Sequence, residues 1–349
     1  MAFSVKSNFS VITEDNLSTI KNELLNFETD IYHSIEWLLL NKDLQDGEIN
    51  CIFLEKDNNY AFFPLIKRHI KNTSYFDLIT PYGYGGVAFS KTSSKDFREK
   101  IFEELKESLK DSSCISVFLR LHPLLNQEVV AGGAVLDNGT TLAIKLDTSY
   151  PDIYSKYSSG HKYDLKKSKK NESICIVDDT TFFYFDDFID IYLETMRYLD
   201  ASDFYFFDKE YFYTMKKLLA EKLKLVVVKL NDQIIGASLF MLENGIIQYH
   251  LSGTTIEGRK YQPSKLILDY MVDWGISQGY NFLHLGGGVG GKQDALYKFK
   301  KGFAADDYSF YTVRLITNKM VYRQLCLDLK FIDTEIDNIS DFFPLYRKV

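Results

Sequence analysis

The sequence predicts a mixed α/β protein of two domains with largely antiparallel sheets. The chain has 349 residues, of which 46% are hydrophobic and 26% are charged, an ordinary balance for globular proteins. At roughly 150 residues per domain, this length indicates about two domains. In the second half, the order is strand, two helices, a three-strand meander, helix, strand, helix and strand. That order argues against the regular βα alternation of a Rossmann domain or a (β/α)8 barrel.

The elements of the first half follow from hydrophobic periodicity and from turn residues. Its first two strands form a hairpin across the turn Lys56–Asn59, and its third strand ends at the glycine-rich turn Pro81–Gly86. The predicted elements are strands at 49–55, 60–67, 75–80, 114–121 and 141–146 and a helix at 94–110.

A long basic helix, predicted over 150–170, bridges the halves, and the second half opens with the strand at 173–177. Pro263 at the start and Gly279 after the end predict a further helix over 263–278. The other predicted elements are strands at 173–177, 225–230, 234–242, 246–252, 281–285 and 307–316 and helices at 185–199, 209–223 and 296–301. We therefore predict an N-terminal domain at 1–147 and a C-terminal domain at 148–349.

Composition restricts the classes of partner and cofactor. The net charge of −7 argues against a wholly basic nucleic-acid coat, although it allows one basic cleft. The four cysteines form no CxxC pair, and we interpret them as inert core thiols. No group of His, Asp or Glu has metal-ligand spacing, so we predict no metal. With neither a signal-peptide pattern nor 18 consecutive apolar residues, we expect a cytoplasmic protein without an integral membrane segment.

Motifs in both halves point to a known family. They are Thr80–Gly86 and Phe118–Leu125 in the first half, and His161–Lys170, Glu194–Arg197, Tyr205–Phe207, His284–Gly288 and Leu296–Phe303 in the second. Together with the element order, they resemble the FemABX family of aminoacyl-tRNA-dependent transferases, within the GNAT (acyl-CoA N-acyltransferase) superfamily. The resemblance covers nearly the whole chain. It implies two tandem GNAT-like domains with a cleft between them, the first on the acceptor side and the second on the donor side.

The junction before the 263–278 helix departs from the GNAT pattern. GNAT proteins that use acyl-CoA carry a glycine-containing loop here, whose backbone N–H groups hold the pyrophosphate of CoA. This chain reads Arg259–Ser264, in which Pro263 removes one donor and no glycine permits a close approach. The departure favours the tRNA-using branch over a CoA-using one.

The basic helix carries the first candidate binding residues. Lys162, Lys166 and Lys170 recur every four residues and place three positive charges on one face. Lys162 and Lys166 match the basic positions of the family, which implies a clamp for the phosphates of a nucleotide-sugar, a lipid pyrophosphate or tRNA. The alternative is a solvated surface helix.

The first half supplies three more candidates at the ends of its strands. Arg120 ends a strand, where it is suited to holding a phosphate or a carboxylate, or to pinning loop carbonyls. Tyr82 and Tyr84 lie on either side of Gly83 in the glycine-rich turn. They are suited to stacking on a base or a sugar, or to lining the seam between the domains.

Glycines and the end of the meander give further substrate-binding candidates. The run Gly286–Gly291 contains Gly287 and Gly288 and is either a phosphate cradle or a flexible gate. His250 and Ser252 end the meander, where GNAT-like domains bring donor and acceptor together. A lone strand histidine such as His250 is also typical of a core position.

Phe299 and Lys300 are the catalytic candidates. They match the family position at which an aromatic side chain and a lysine meet the reacting acyl group. Attack of an amine on an ester builds an oxyanion, which a fixed ammonium stabilises. The alternative for Lys300 is a basic surface turn shared with Lys298 and Lys301. No Ser-His-Asp set or GxSxG elbow is present, which agrees with direct transfer.

The resemblance implies an acyltransferase that moves an aminoacyl group from aminoacyl-tRNA onto an amine of a peptidoglycan or surface-polysaccharide precursor. We expect no tightly bound cofactor, and partners that include a diphosphate-containing precursor, a tRNA acceptor end and, transiently, a lipid-linked substrate, but no DNA. One alternative is an acyl-CoA-dependent N-acyltransferase that acts on an amino sugar or nucleotide-sugar. The other is a non-catalytic binding module of the same fold.

Overall fold

The computed structural model of the chain describes residues 8–127, 135–339 and 342–348. They belong to two compact units. Unit 1 runs to Gly139 and resumes at Ser309, whereas unit 2 is the continuous stretch Thr140–Tyr308. The mixed α/β class and the largely antiparallel sheets predicted from the sequence are confirmed.

The described residues contain fourteen strands and ten α-helices. The strands are β1 (Asn8–Thr13), β2 (Glu48–Lys56), β3 (Asn59–Phe63), β4 (Ile66–His69), β5 (Phe76–Ile79), β6 (Ala88–Phe89), β7 (Cys114–Arg120), β8 (Val135–Lys145), β9 (Ile174–Asp178), β10 (Leu223–Leu230), β11 (Gln233–Glu243), β12 (Ile246–Thr254), β13 (Phe282–Gly287) and β14 (Asp306–Ile316). The helices are α1 (Ile35–Asn41), α2 (Lys95–Ser108), α3 (Tyr150–Ser155), α4 (Ser159–Lys169), α5 (Phe185–Tyr198), α6 (Lys209–Leu219), α7 (Pro263–Ser277), α8 (Ala295–Lys301), α9 (Lys319–Asp328) and α10 (Asp333–Ile336).

The sheet of unit 1 has the strand order β6-β3-β2-β4-β5-β7-β14, and β1 also pairs with β2. Within the described residues of this sheet, β5 and β7 form the parallel pair, and the other pairs are antiparallel. A parallel pair needs a crossover connection, which here contains α2. Ser94 caps α2 by accepting the N–H of Phe97 (3.3 Å). The helix buries Phe97, Ile101 and Leu105 on the sheet, at about 2 kcal/mol of stabilisation each.

The sheet of unit 2 has the strand order β8-β13-β12-β11-β10-β9. Here the parallel pair is β12 with β13, and α7 forms the crossover between them. Pro263 occupies the first turn of α7, and Gly279 (φ 75°) follows its end, as the sequence predicts. The buried side chains Leu266, Ile267 and Met271 pack this helix into the core of the unit.

The two units therefore repeat one arrangement of strand, crossover helix and parallel strand. The antiparallel neighbour of the second parallel strand is β14 in unit 1 and β8 in unit 2, paired through Thr312–Ile316 and Thr141–Lys145. Tyr322 and Cys326 of α9 are buried in one cluster with Ile115 of β7. The division thus differs from the predicted boundary at 147/148, because the end of β14 and the residues after it pack with unit 1.

The prediction of one helix over 150–170 is wrong, because this stretch forms α3 and α4 with a break between them. Ser158 lies in the break with an extended backbone (φ −58°, ψ 150°). Its hydroxyl accepts the N–H of His161 (3.2 Å), which starts a new helix. Both helices belong to unit 2, so they do not bridge the halves.

Two features are absent from the described ranges, a membrane-spanning helix and a cluster of metal ligands. No helix there combines the length and the apolar composition needed to cross a bilayer. Likewise, no cluster of three or more His, Cys, Asp or Glu side chains there has an arrangement that would hold a metal ion.

Candidate active site

The short helix α8 carries both catalytic candidates of the sequence. Although Lys298 on the same helix is exposed, the Lys300 side chain is buried, with 7% of the residue exposed. Its ammonium donates a hydrogen bond to the carbonyl oxygen of Gly287 at the end of β13 (2.7 Å). Burial lowers the pKa of Lys300 to about 8, and the Asp294 carboxylate partly offsets this effect. Lys300 is therefore a desolvated ammonium that titrates near neutral pH.

The glycine-rich turn between β13 and α8 is held by the carboxylate of Asp294. This carboxylate caps α8 by accepting the N–H of Tyr297 (2.9 Å), and it also accepts the N–H of Val289 in the turn (3.0 Å). These backbone donors hold the pKa of Asp294 below its usual value. A Cβ at Gly288 would overlap the Asp294 side chain, so only glycine fits there.

Two further N–H groups of the turn also have partners inside it. The N–H of Gly291 donates to the oxygen of Gly288 (3.1 Å), and the N–H of Lys292 donates to the oxygen of Val289 (3.3 Å). The turn thus directs at least three donors to its own chain rather than outward. This arrangement favours an anchor for α8 over a phosphate cradle at Gly287 and Gly288.

Phe299 is fixed through its main chain by His161 of α4. The Nε2–H of His161 donates to the carbonyl oxygen of Phe299 (2.9 Å), and the two rings lie 5.6 Å apart. A Cβ at Gly302 would overlap the His161 ring, so the glycine after α8 lets this ring approach. The last turn of α8 is thereby tied to the first turn of α4.

The pairing between the parallel strands β12 and β13 stops before either strand ends. Among the described residues, their pairing ends at Gln248 and His284, although β12 continues to Thr254 and β13 to Gly287. The Nδ1–H of His284 donates to Oε1 of Gln248 across this last rung (2.6 Å). Each strand then continues paired with its other neighbour, so β12 and β13 are no longer hydrogen-bonded to each other at their carboxyl ends.

The predicted residues His250 and Ser252 lie on β12 beyond that point. His250 is the extra residue of a β-bulge, because Tyr249 pairs with Phe240 and Leu251 pairs with Leu239. Burial lowers the pKa of His250 to about 3, so its imidazole is neutral at physiological pH. That low pKa makes His250 a poor general base.

The same bulge places Tyr249 and Ser252 on one face of β12, within a cluster of hydroxyl groups. Ser252 and Ser238 are joined by a 2.8 Å hydrogen bond between their hydroxyl groups. Burial raises the pKa of Tyr249, and the hydroxyls of Ser252, Ser238 and Ser264, the last in the first turn of α7, oppose this effect. Ser252 therefore lies under the start of α7, within a network of side-chain hydroxyls.

The basic helix α4 packs against the start of α7. Ser168 donates to the carbonyl oxygen of Tyr261 (2.8 Å), and Asp164 forms an ion pair with Lys265 (2.5 Å). Gln262, immediately before α7, has a left-handed backbone (φ 57°) and provides no side-chain cap. The side chains of Ser168 and Asp164 from α4 therefore lie next to the N-terminus of α7.

The two predicted lysines of α4 lie on its solvent side. Lys166 is exposed, and Lys162 is partly exposed with its ammonium on the Ser155 oxygen (2.5 Å). Lys170 falls at the C-cap, just beyond the helix. Of the three lysines predicted to form one row, Lys162 and Lys166 thus lie on the helix, and Lys170 lies just after its end.

The remaining predicted residues belong to unit 1. Arg120 donates to the carbonyl oxygen of Thr80 (3.3 Å), and its guanidinium lies 4.9 Å from the centre of the Phe118 ring. Tyr82 accepts the indole N–H of Trp37 at its carbonyl oxygen (2.7 Å), and the Tyr84 ring packs edge-on against Phe310. All three therefore have structural contacts within unit 1, which agrees with the structural alternative for Arg120.

Sequence reasoning did not single out His161 or Asp294 as site residues. Both carry a signal that local rules could have found. Ser158 precedes His161 by three residues, and Asp294 precedes Tyr297 by three, which is the spacing of a helix N-cap. The contact of His161 with Phe299, which is distant in the sequence, carries no such signal.

Part of the chain is similar to a known protein family. Residues 161–301, a stretch that includes His161 and Lys300, match the family of acetyltransferase (GNAT) domains. No curated protein matches the chain.

Two solved structures share the fold over most of the chain. The crystal structure of FemX is 13% identical in sequence and aligns with a TM-score of 0.66 over 91% of this chain and 99% of its own. A conserved protein of unknown function from Bacteroides thetaiotaomicron VPI-5482 is 12% identical and aligns with a TM-score of 0.56 over 88% of this chain and 99% of its own. The chain is therefore similar to acetyltransferase (GNAT) domains over residues 161–301 and shares the fold of FemX over most of its length.

Proposed function

We propose that this protein is an acyltransferase that moves an aminoacyl group from aminoacyl-tRNA onto an amine of a cell-envelope precursor. The acceptor is a peptidoglycan or surface-polysaccharide intermediate that carries a diphosphate. The observation that carries the proposal is the fold shared with FemX over 91% of the chain. The FemABX-like motifs of the sequence support the same proposal. The match to acetyltransferase (GNAT) domains supports the coarser statement, an acyltransferase.

The proposed reaction is a direct transfer. The acceptor amine attacks the ester carbonyl carbon, a C–N bond forms, and the C–O bond to the terminal ribose of tRNA breaks. The proton that the amine loses passes to water or to the phosphate of the acceptor, and one of these returns a proton to the ribose oxygen, which leaves as a hydroxyl. Negative charge develops on the carbonyl oxygen in between. A desolvated ammonium fixed in advance is suited to stabilising that charge.

Lys300 is the proposed source of this stabilisation. An ammonium has three N–H donors, and the Gly287 oxygen accepts one of them. In this proposal, the other N–H groups of the Lys300 ammonium donate hydrogen bonds to the oxyanion, and α8 does not need to move. Phe299 shapes the pocket for the acyl group in this proposal.

The start of α7 supports tRNA over CoA as the donor. A pyrophosphate at this position needs outward backbone N–H groups and an open approach. Pro263 lacks the N–H, and the Asp164–Lys265 pair places a carboxylate of the chain itself nearby. Because Asp164 already pairs with Lys265, the charge of this lysine is largely neutralised and attracts a second anion less strongly.

The acceptor and tRNA phosphates are assigned to exposed cations. Lys162 and Lys166 have the exposure that a phosphate contact requires. Arg120 is kept as a phosphate ligand in the proposal, with Tyr82 and Tyr84 beside it in sequence. His250, Ser252, Gly287 and Gly288 are proposed to line the acyl end of the site.

A transfer assay tests the proposal. Wild-type protein is mixed with minihelix RNAs charged with radiolabelled amino acids, or with radiolabelled acetyl-CoA. Each donor is offered UDP-MurNAc-pentapeptide or UDP-linked amino sugars as the acceptor. We expect label to move from a charged minihelix to an acceptor. The matched variants Lys300→Met and Lys298→Met separate the buried lysine from an exposed one on the same helix.

A second candidate is transfer from acyl-CoA to an amino sugar, which the acetyltransferase (GNAT) match favours. Label that moves only from acetyl-CoA would replace the first proposal with this one. A rise in melting temperature with CoA, and none with adenosine diphosphate, would agree with that result. Absence of transfer from every donor would contradict both candidates and favour a binding module.

A further inference from the structure

The side chain of His161 is buried beside α8, and it has no role in the proposed reaction described above. The residue is only 7% exposed and lies in the first turn of α4. Its ring packs edge-on against Phe303, with ring centres 4.5 Å apart, and also contacts Phe299. An apolar side chain would be enough for this packing. The two ring nitrogens of a histidine add hydrogen bonds that an apolar side chain cannot form.

The hydrogen bonds of His161 determine its tautomer. The Phe299 carbonyl oxygen can only accept, so the Nε2 atom, 2.9 Å away, carries the proton. The Nδ1 atom is then an acceptor and receives the hydroxyl hydrogen of Ser158 (3.0 Å). Burial and the nearby Lys265 ammonium lower the pKa of His161, while the Phe299 carbonyl and Asp164 oppose them. The ring is therefore neutral, with one donor aimed at α8.

The acceptor of this bond is one residue before Lys300 in the chain. Phe299 lies in the last turn of α8, and its carbonyl oxygen accepts the N–H of Gly302 at the helix end (3.2 Å) in addition to the His161 N–H. A second bond joins the same two helices, because the Ser158 N–H donates to the Gly302 oxygen (2.9 Å). His161 and Ser158 thus hold the backbone on both sides of Lys300, and Gly287 holds the tip of its side chain.

We infer that His161 is a positioning residue that sets the place of the Lys300 ammonium through the Phe299 carbonyl. This inference rests on the proposed function for its kinetic consequence, but the placement of Lys300 is measurable without any substrate. The mechanical reason is that α8 has only seven residues, too few to stay fixed without tertiary contacts.

Two variants of His161 separate the bond from the packing. His161→Gln keeps an N–H donor near the position of Nε2, whereas His161→Asn keeps only an acceptor near Nδ1 for Ser158. Phe303→Leu disturbs the same aromatic contact without removing the hydrogen bond. Melting curves of all three confirm that the compared proteins are folded.

The first measurement is the titration of Lys300 by NMR of protein with labelled lysine side chains, assigned by the signal that Lys300→Met loses. We expect His161→Asn to raise the pKa of Lys300 by about one unit, because a loosened ammonium regains water. His161→Gln and Phe303→Leu should leave the pKa of Lys300 within about 0.3 units of wild type. Equal titration of Lys300 in wild type and His161→Asn would overturn the inference.

The second measurement is the transfer assay. We expect His161→Asn to lower kcat by about 10- to 100-fold at unchanged KM, as a misplaced catalytic group does, and His161→Gln to restore most of it. Equal losses in the two variants, in proportion to their melting temperatures, would assign His161 to stability alone and overturn the inference. If the wild type transfers no group, the proposed function fails, and the NMR titration still decides the inference.

Discussion

Each unit buries a titratable side chain after the second strand of its parallel pair, but the two side chains have different partners. In unit 1, His122 follows β7, and its Nε2 lies 3.1 Å from the Asp30 carboxylate. Its Nδ1 accepts the N–H groups of Leu124 and Leu125, each at 3.2 Å. In unit 2, Lys300 follows β13, and its ammonium meets the neutral oxygen of Gly287.

The partners affect the pKa values of the Asp30 carboxyl in unit 1 and of the Lys300 ammonium in unit 2 in different ways. Burial opposes the ionisation of Asp30, but His122, His33 and the Tyr32 N–H together hold the pKa of Asp30 below its usual value. Burial lowers the pKa of Lys300 to about 8, with a weaker opposing effect from Asp294. Unit 1 thus buries a carboxylate whose charge is stabilised by its partners, whereas unit 2 buries an ammonium whose charge is destabilised by burial. A destabilised charge near neutral pH is typical of functional sites.

The largest effect is expected on stability when the pair in unit 1 is broken. Asp30→Ala leaves the Nε2–H of His122 and the N–H of Tyr32 without this acceptor inside the protein. We expect a loss of about 4 kcal/mol in the free energy of unfolding, measured by urea denaturation. Asp30→Asn, which keeps an acceptor oxygen, should lose less. A loss below about 1 kcal/mol for Asp30→Ala would show that the pair does not stabilise unit 1.

The second effect concerns catalysis in unit 2. Lys300→Met removes the ammonium, and we expect turnover in the transfer assay to fall by about 100- to 1,000-fold. The free energy of unfolding should not fall, since methionine fills a similar volume without a buried charge. Lys298→Met, on the exposed side of the same helix, should retain turnover. A Lys300→Met protein that loses stability as Asp30→Ala does would contradict the contrast between the units.

The third effect is the pH dependence of stability. The pKa of Lys300 is about 8 in the folded protein and near 10.5 in the unfolded chain, so the unfolded state binds more protons between these values. Wild-type stability should therefore rise relative to Lys300→Met as the pH increases from 8 to 10.5, by about 3 kcal/mol in total. Urea denaturation at four pH values measures this difference, in which other titrating groups cancel. A difference that stays constant with pH would mean that Lys300 is not desolvated.

The smallest effect concerns an exposed lysine. Lys166→Ala should raise KM for a charged minihelix by about 2- to 5-fold at low salt and weaken the salt dependence of binding. Its melting temperature should match that of wild type, because the side chain is exposed. An unchanged KM at low salt would assign Lys166 to the solvated surface, the alternative drawn from the sequence.

Local patterns predicted most of the regular elements. The helix at 94–110 is observed as α2, and the helix at 263–278 as α7, because apolar spacing and capping residues act within a few positions of each other. The break at Ser158 was missed, since basic residues on both sides continue a helical charge pattern across the cap. The same capping rule, applied to Ser158, would have separated α3 from α4.

Contacts distant in the sequence explain the rest. The burial of Lys300 depends on the Gly287 oxygen and on the core around Phe303, whereas the sequence shows only three lysines near each other. The return of the chain after Ser309 to unit 1 depends on strand pairing between β14 and β7, which no local rule specifies. The position of Arg120 was predicted correctly at a strand end, but its contact with Thr80 required the turn in three dimensions.

The pH profile of transfer tests the central claim, that the Lys300 ammonium stabilises the reacting acyl group. Initial rates of wild type and Lys300→Met are measured from pH 6.5 to 9.5 with a charged minihelix and the best acceptor. We predict that the wild-type rate falls above an apparent pKa near 8 and that the residual rate of Lys300→Met lacks this decrease. A wild-type rate that keeps rising to pH 9.5, or a Lys300→Met protein with full turnover, would contradict the claim.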